Sequence, residues 1–230
     1  MSFNGFSDDT VAFLADLAAH NDKAWFDAHK ADYEAHWKDA GCAFVEAAGK
    51  RLQTFAPDVT ALPKVNGSLF RLHRDVRFSK DKRPYKTHLD VMMWEGPSRK
   101  TAASGFFFRL KPDHYAVGVG AVAFEKERLA QFRDVVQHKK AAASLVDVEM
   151  QLQANGFTLD GEHYKRIPRG VEADALDDAQ QRYVRFNALW SAQELPLPKN
   201  LSKPTFLDDV VAQWEQLLPL HQWMVTHLSA

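Results

Sequence analysis

The chain of 230 residues contains one cysteine, Cys42. An internal disulfide is therefore excluded, and so are zinc sites built from several thiolates. Cys42 lies in the apolar run Gly-Cys-Ala-Phe-Val and reads as a buried thiol. Long hydrophobic runs are also missing. The longest uncharged apolar run, Ala116–Phe124, is far too short to cross a bilayer. The opening MSFNGFSDDTVAFL lacks the basic segment and continuous apolar core of a secretory signal. Net charge is only −1, so no overall field draws the molecule onto DNA or anionic membranes. These absences predict a soluble, cytoplasmic protein without membrane attachment; they say nothing of its oligomeric state.

Familiar chemical signatures are scarce as well. The ten histidines include no His-Glu-x-x-His or comparable ligand spacing, and Gly-x-Ser-x-Gly is absent. The segment Gly118-Val-Gly120-Ala-Val-Ala123 approximates a dinucleotide fingerprint. It lacks the third glycine, the downstream acid and a βαβ setting, so it reads as a close-packed strand. No metal or cofactor is expected.

What the chain does have is apolar mass: 46% of its residues are hydrophobic, including 16 Phe and 6 Trp, enough to fill a large core. Val11, Leu14, Leu17 and Ala18 recur at helical spacing behind Ser7 or Asp8 as a cap. Asn21 and Asp22 offer a second cap, and the spacing from Trp25 to Phe55 predicts one long helix over 22–55, or two broken near Gly41. Four candidate strands follow between residues 69 and 120: Leu69–Phe78, His88–Trp94, Gly105–Leu110 and His114–Gly120. The last two form a hairpin turned through Lys111, Pro112 and Asp113. Helices are expected at Glu125–His138, Leu145–Ala154 and Phe206–Leu228, with Asn155-Gly156 as a stop and a kink at Pro219; Tyr183–Leu189 reads as a later strand. With no repeat or linker, the prediction is an α+β fold in a single domain, 1–230, whose mainly antiparallel sheet is packed by N- and C-terminal helices.

Charge is concentrated in one place, FRLHRDVRFSKDKRPYKTH at 70–88. Arg71, Arg74, Arg77, Lys80, Lys82, Arg83 and Lys86 face only Asp75 and Asp81, a local net of +5, which leaves −6 for the rest of the chain. As a strand, Leu69–Phe78 puts Phe70, Leu72, Val76 and Phe78 toward the core and Arg71, His73, Asp75 and Arg77 on the other face. Arg74 then falls on the apolar side and needs a partner or a cleft. Arginine forks, mobile lysines and a tight turn suit a phosphate or carboxylate, and Tyr85 and His88 add hydrogen bonds. The same residues also suit a network of Arg–Asp pairs that merely holds a turn, and composition favours neither. A smaller basic group, Lys165, Arg166 and Arg169, lies downstream.

The run RDVRFSKDKRPYKTH resembles the signature of the domain-of-unknown-function 2461 family, RDxRFSKDKxPYKTH. The likeness continues in Asn21-Asp-Lys-Ala-Trp-Phe26 with Tyr33, in Gly105-Phe-Phe-Phe with Tyr115-Ala-Val-Gly-Val-Gly120, and in Arg166-Ile-Pro-Arg-Gly170, where Ile167 replaces the usual proline. The resemblance singles out the central motif and implies no reaction. The expected site therefore binds an anionic small molecule through Arg71, Arg74, Arg77, Lys80, Lys82, Tyr85, Lys86 and His88, with Asp75 and Asp81 in support. The alternatives are a single-stranded nucleic-acid module stacking bases on Phe78, Tyr85 and Phe106–Phe108, or a purely structural motif. The near-neutral total charge counts against nucleic acid.

Overall fold

The computed structural model describes residues 3–96 and 100–228. Helix α1 (Asp8–Ala19) starts where Ser7 Oγ accepts the Thr10 N–H at 3.3 Å. Helix α2 (Lys23–Ala28) is capped by Asp22, whose carboxylate accepts the Trp25 N–H at 3.0 Å. The predicted long helix is interrupted, though not near Gly41. It breaks at His29, resumes as the short α3 (Lys30–Asp32), passes through a π-helical stretch at Tyr33–Asp39 and continues as α4 (Ala40–Leu52). Gly41 is a point of close approach: a Cβ there would stand 2.9 Å from Leu69 Cδ1. Its small size admits a neighbour instead of ending a helix.

Six strands follow: β1 (Val59–Thr60), β2 (Leu89–Glu95), β3 (Gly105–Leu110), β4 (His114–Ala121), β5 (Leu159–Glu162) and β6 (Phe186–Pro196). They form one antiparallel sheet in the order β1-β2-β3-β4-β6-β5. The β3–β4 hairpin closes as expected, with Lys111 N–H donating to the His114 carbonyl at 2.8 Å. Gly120 lies at φ +126°, and a Cβ there would sit 2.2 Å from the Leu189 carbonyl oxygen, so its glycine serves the packing of β4 on β6. The helices between and after the strands are α5 (Lys126–Gln137), α6 (Lys139–Ala154), α7 (Asp178–Tyr183) and α8 (Phe206–Leu228), the last running through Pro219. Tyr183 ends α7 and the strand begins only at Phe186, a shift from the sequence expectation. The α+β class holds.

The chain divides into two compact units. The first comprises Met1–Met93, Phe107–Val117 and Glu194–Ala212. Its core is aromatic: Phe6 stacks parallel to Phe108 at 5.6 Å, Phe44 lies 4.4 Å from Phe108, and Phe206 meets Phe6 edge-on at 6.1 Å. Each buried ring contributes about 1.5–3 kcal/mol by leaving water. The second unit comprises Trp94–Phe106, Gly118–Gln193 and Gln213–Ala230, with Phe132 and Trp223 at 6.3 Å in its core. It also buries polar groups. Ser104 Oγ and Glu95 Oε2 lie 2.8 and 3.0 Å from the two ring nitrogens of His221. Burial holds the His221 imidazole below its ordinary pKa, against the pull of Glu95.

The expected strand Leu69–Phe78 is absent. Leu69 bridges Val91, and the chain then leaves the sheet as an irregular two-armed loop. Leu72 and Tyr85 remain buried, but Phe78 is 96% exposed and Val76 is only half-buried.

Candidate functional site

Only the base of the 70–88 loop is paired. Lys86 N–H donates to the Leu72 carbonyl at 2.9 Å, Arg74 N–H donates to the Pro84 carbonyl at 2.8 Å, and His73 and Tyr85 form the bridge between these rungs. The N-terminal helices secure this base. Asn21 Nδ2 donates to the Tyr85 carbonyl at 3.0 Å, and Asn21 Oδ1 accepts the Tyr85 N–H at 3.0 Å. One side chain thus satisfies both backbone groups of Tyr85, as a neighbouring strand would. Phe26 stacks on the Tyr85 ring at 4.4 Å, Tyr33 lies 5.2 Å from Phe26, and Trp37 stacks on Tyr33 at 5.3 Å. The segment Asn21–Phe26 therefore has a mechanical role: it clamps the basic loop.

Beyond the base, the loop curls around two copies of one device. Asp75 Oδ1 accepts the Arg77 backbone N–H at 3.3 Å and its Nε at 2.9 Å, while Oδ2 accepts Nη2 at 2.7 Å. Asp81 repeats this with Arg83, at 3.1, 3.0 and 2.8 Å. In each, an aspartate turns the backbone and holds the guanidinium two residues on, which defeats the strand geometry the alternation suggests. Arg74, expected on an apolar face, bonds Asp81 at 2.8 Å and the Arg83 carbonyl at 2.9 Å instead. Hydrogen bonds from Arg77 and Arg83, respectively, hold the Asp75 and Asp81 carboxyls below their ordinary range. Lys82 Nζ donates to the Val76 carbonyl at 3.0 Å. Arg71 and Lys80 are exposed and make no hydrogen bond or ion pair among the described residues.

The cations converge at the foot of the loop. Asp90, buried on β2, accepts Arg109 Nε at 2.6 Å and Nη2 at 3.2 Å from β3. His88 Nε2 lies 3.1 Å from Asp90 Oδ2, and Lys86 Nζ lies 3.4 Å from the same oxygen. Burial pushes the Asp90 carboxyl up, but the bonds from His88 and Arg109 outweigh it and hold the group well below the usual carboxylate range. Lys86 also stands 5.0 Å from the centre of the Phe70 ring. Over these groups lies a cleft of about 250 Å³ lined by Arg74, Asp81, Arg83, Tyr85, Lys86, Thr87 and His88. Its lining carries three permanent cations and an imidazole against one carboxylate.

Of the ten residues singled out from the sequence, Arg74, Asp81, Tyr85, Lys86 and His88 line this cleft. Arg71, Asp75, Arg77, Lys80 and Lys82 do not. Arg83, Thr87, Asp90 and Arg109 belong to the arrangement without having been singled out. The lone charge of Arg109 within the apolar strand GFFFRL was the available signal. Of the aromatics offered for base stacking, Tyr85, Phe106 and Phe108 are buried, and Phe78 alone is fully exposed. Lys165, Arg166 and Arg169 are exposed in the second unit. Among the described residues, no group of three or more His, Cys, Asp or Glu is placed to hold a metal ion.

The family of conserved hypothetical proteins DUF2461 matches residues 9–223. The chain belongs to this family. No curated protein matches it. Two of the segments that carried the resemblance, Asn21–Phe26 and the PYKTH run, meet physically through Asn21, Phe26 and Tyr85. No helix among the described residues is long and apolar enough to cross a membrane.

Proposed function

We propose that this protein binds a small molecule bearing a phosphate or carboxylate in the cleft at the foot of the 70–88 loop. The observation that carries this reading is the imbalance of charge there. Arg74, Arg83 and Lys86 face the cleft with one carboxylate, Asp81, while the buried Asp90 draws Lys86, His88 and Arg109 together beneath it. The two carboxylates, Asp81 and Asp90, cannot neutralise the four permanent cations Arg74, Arg83, Lys86 and Arg109, and an anionic ligand completes the set. The physical reason is general: like charges held close together repel, and a ligand of opposite sign relieves that repulsion.

In this reading each lining residue has a role. Lys86 and His88 are the ligand-facing donors, Arg74 and Arg83 form the wall, and Thr87 supplies a neutral hydroxyl. Arg77 is saturated by Asp75 outside the lining and serves as a control. A thermal-shift screen against inorganic phosphate, pyrophosphate, citrate and malate tests the reading. At least one of these anions is expected to raise the melting temperature of the wild type and of Arg77→Ala, but not of Lys86→Met. No stabilisation of the wild type by any of them, or equal stabilisation of Lys86→Met, would sink it.

A further inference from the structure

The tip of the 70–88 loop carries an apolar group that the cleft does not use. Phe78 is 96% exposed, in a chain that buries most of its phenylalanines. Leaving a phenyl ring in water forgoes the stabilisation of its burial, and nothing in the local backbone demands a phenylalanine. Ser79 N–H donates to the Val76 carbonyl at 3.3 Å, which makes Val76–Ser79 a turn with Phe78 at its third position, where polar residues are well suited.

The turn is braced rather than loose. Lys82 Nζ reaches across to the same Val76 carbonyl at 3.0 Å, and Asp75 locks Arg77 through three bonds. The Arg77 guanidinium stands 5.9 Å from the centre of the Phe78 ring. The same loop carries further exposed cations. Arg71 acts on Asp75 through space without a hydrogen bond, Lys80 has no partner among the described residues, and Lys82 gives only one bond, to a carbonyl. A presented flat ring on a loop of exposed positive charges is the equipment for a chain of alternating phosphates and planar bases.

We propose that the Val76–Ser79 turn, with Lys80 and Lys82, docks single-stranded nucleic acid, one base stacking on Phe78 while the neighbouring phosphates meet the lysines. The chain's net charge of −1 confines the attraction to the loop, so the contact is short and weakens steeply with salt. An acidic peptide answers the cations but leaves the ring face without a planar partner, which favours nucleic acid. None of the tip residues named lines the small-anion cleft, so the two readings fail separately.

Fluorescence anisotropy with labelled oligothymidylate of about ten nucleotides, within the range one small module covers, tests this at low salt beside an abasic oligomer of equal phosphate number. The wild type is expected to prefer the base-bearing strand. Phe78→Ala should lose roughly tenfold or more of that affinity, as removal of a stacking ring does, and leave abasic binding unchanged; Phe78→Trp should restore it. Lys80→Ala should lower the dependence of log K on log salt by about 0.7. The proposal is overturned by equal binding of the abasic strand, by an unchanged Phe78→Ala, or by absence of binding at low salt. Equal competition by polyglutamate, or co-sedimentation with phosphatidylserine vesicles that Phe78→Ala abolishes while oligonucleotide binding is missing, also overturns it. Circular dichroism confirms that each variant is folded.

Discussion

Asp90 and Glu149 are both buried carboxylates bonded to arginine, one in each compact unit, yet their surroundings differ. Glu149 receives Arg182 Nη1 at 2.8 and 2.7 Å on its two oxygens and the Tyr183 hydroxyl at 2.8 Å. Burial and the bond to Glu149 raise the Tyr183 phenol well above its ordinary pKa, so the hydroxyl stays a donor. One negative charge meets one positive charge and one neutral donor. Asp90 instead collects Arg109, His88 and Lys86, and two of these three line an open cleft. A balanced buried pair holds structure; the unbalanced one leaves positive charge facing an open cleft.

The largest expected effect breaks the balanced pair. Glu149→Ala strands Arg182 and the Tyr183 hydroxyl, and should cost about 3–5 kcal/mol, a fall in melting temperature of roughly 6–20 °C. Anion binding at the cleft should be unaffected in titrations below that temperature. Asp90→Asn should cost less, about 1.5–3 kcal/mol, because the amide keeps an acceptor for Arg109. It should also tighten anion binding, since a competing negative charge is gone. Equal losses of binding in both variants would erase the distinction between the two carboxylates.

Acid melting profiles sharpen the comparison further. Asp90 binds its proton less readily in the folded state, so the unfolded chain takes up protons first as pH falls below about 4. The stability it contributes is present above that pH and is lost as pH falls toward its folded value. His221 acts at a higher pH: its depressed folded pKa means that the unfolded chain protonates first below about 6.5, and stability declines from there. Melting temperatures from pH 8 to 3 should therefore fall in two stages, with His221→Gln flattening the upper and Asp90→Asn the lower. The smallest effect is expected for Arg77→Ala, which removes an exposed pair and should leave both melting temperature and cleft binding nearly unchanged.

Much of the fold was legible because its elements follow simple periodicities. The start of α1 at the Ser7 cap, the β3–β4 hairpin and the end of α6 before Gly156 were readable from capping, alternation and turn residues. The 70–88 loop was misread for a physical reason. Phe70, Leu72, Val76 and Phe78 alternate with polar residues, but alternation implies a strand only where a core waits on one side. Asp75 and Asp81 each bend the backbone toward the arginine two positions on, and that local chemistry overrides the period. Asn21 looked like a helix cap; its partner, Tyr85, lies 64 positions away, beyond any local rule. Asp90 and Arg109 likewise meet only across neighbouring strands.

The central claim is that cations left over at the foot of the loop bind an anion. Isothermal titration of inorganic pyrophosphate into the wild type, Lys86→Met and Arg77→Ala at low salt tests it most directly. The wild type and Arg77→Ala should bind alike, and Lys86→Met about tenfold or more weaker, the effect of losing one charge-assisted hydrogen bond. Absence of heat with the wild type, or equal weakening by the two substitutions, would contradict the claim.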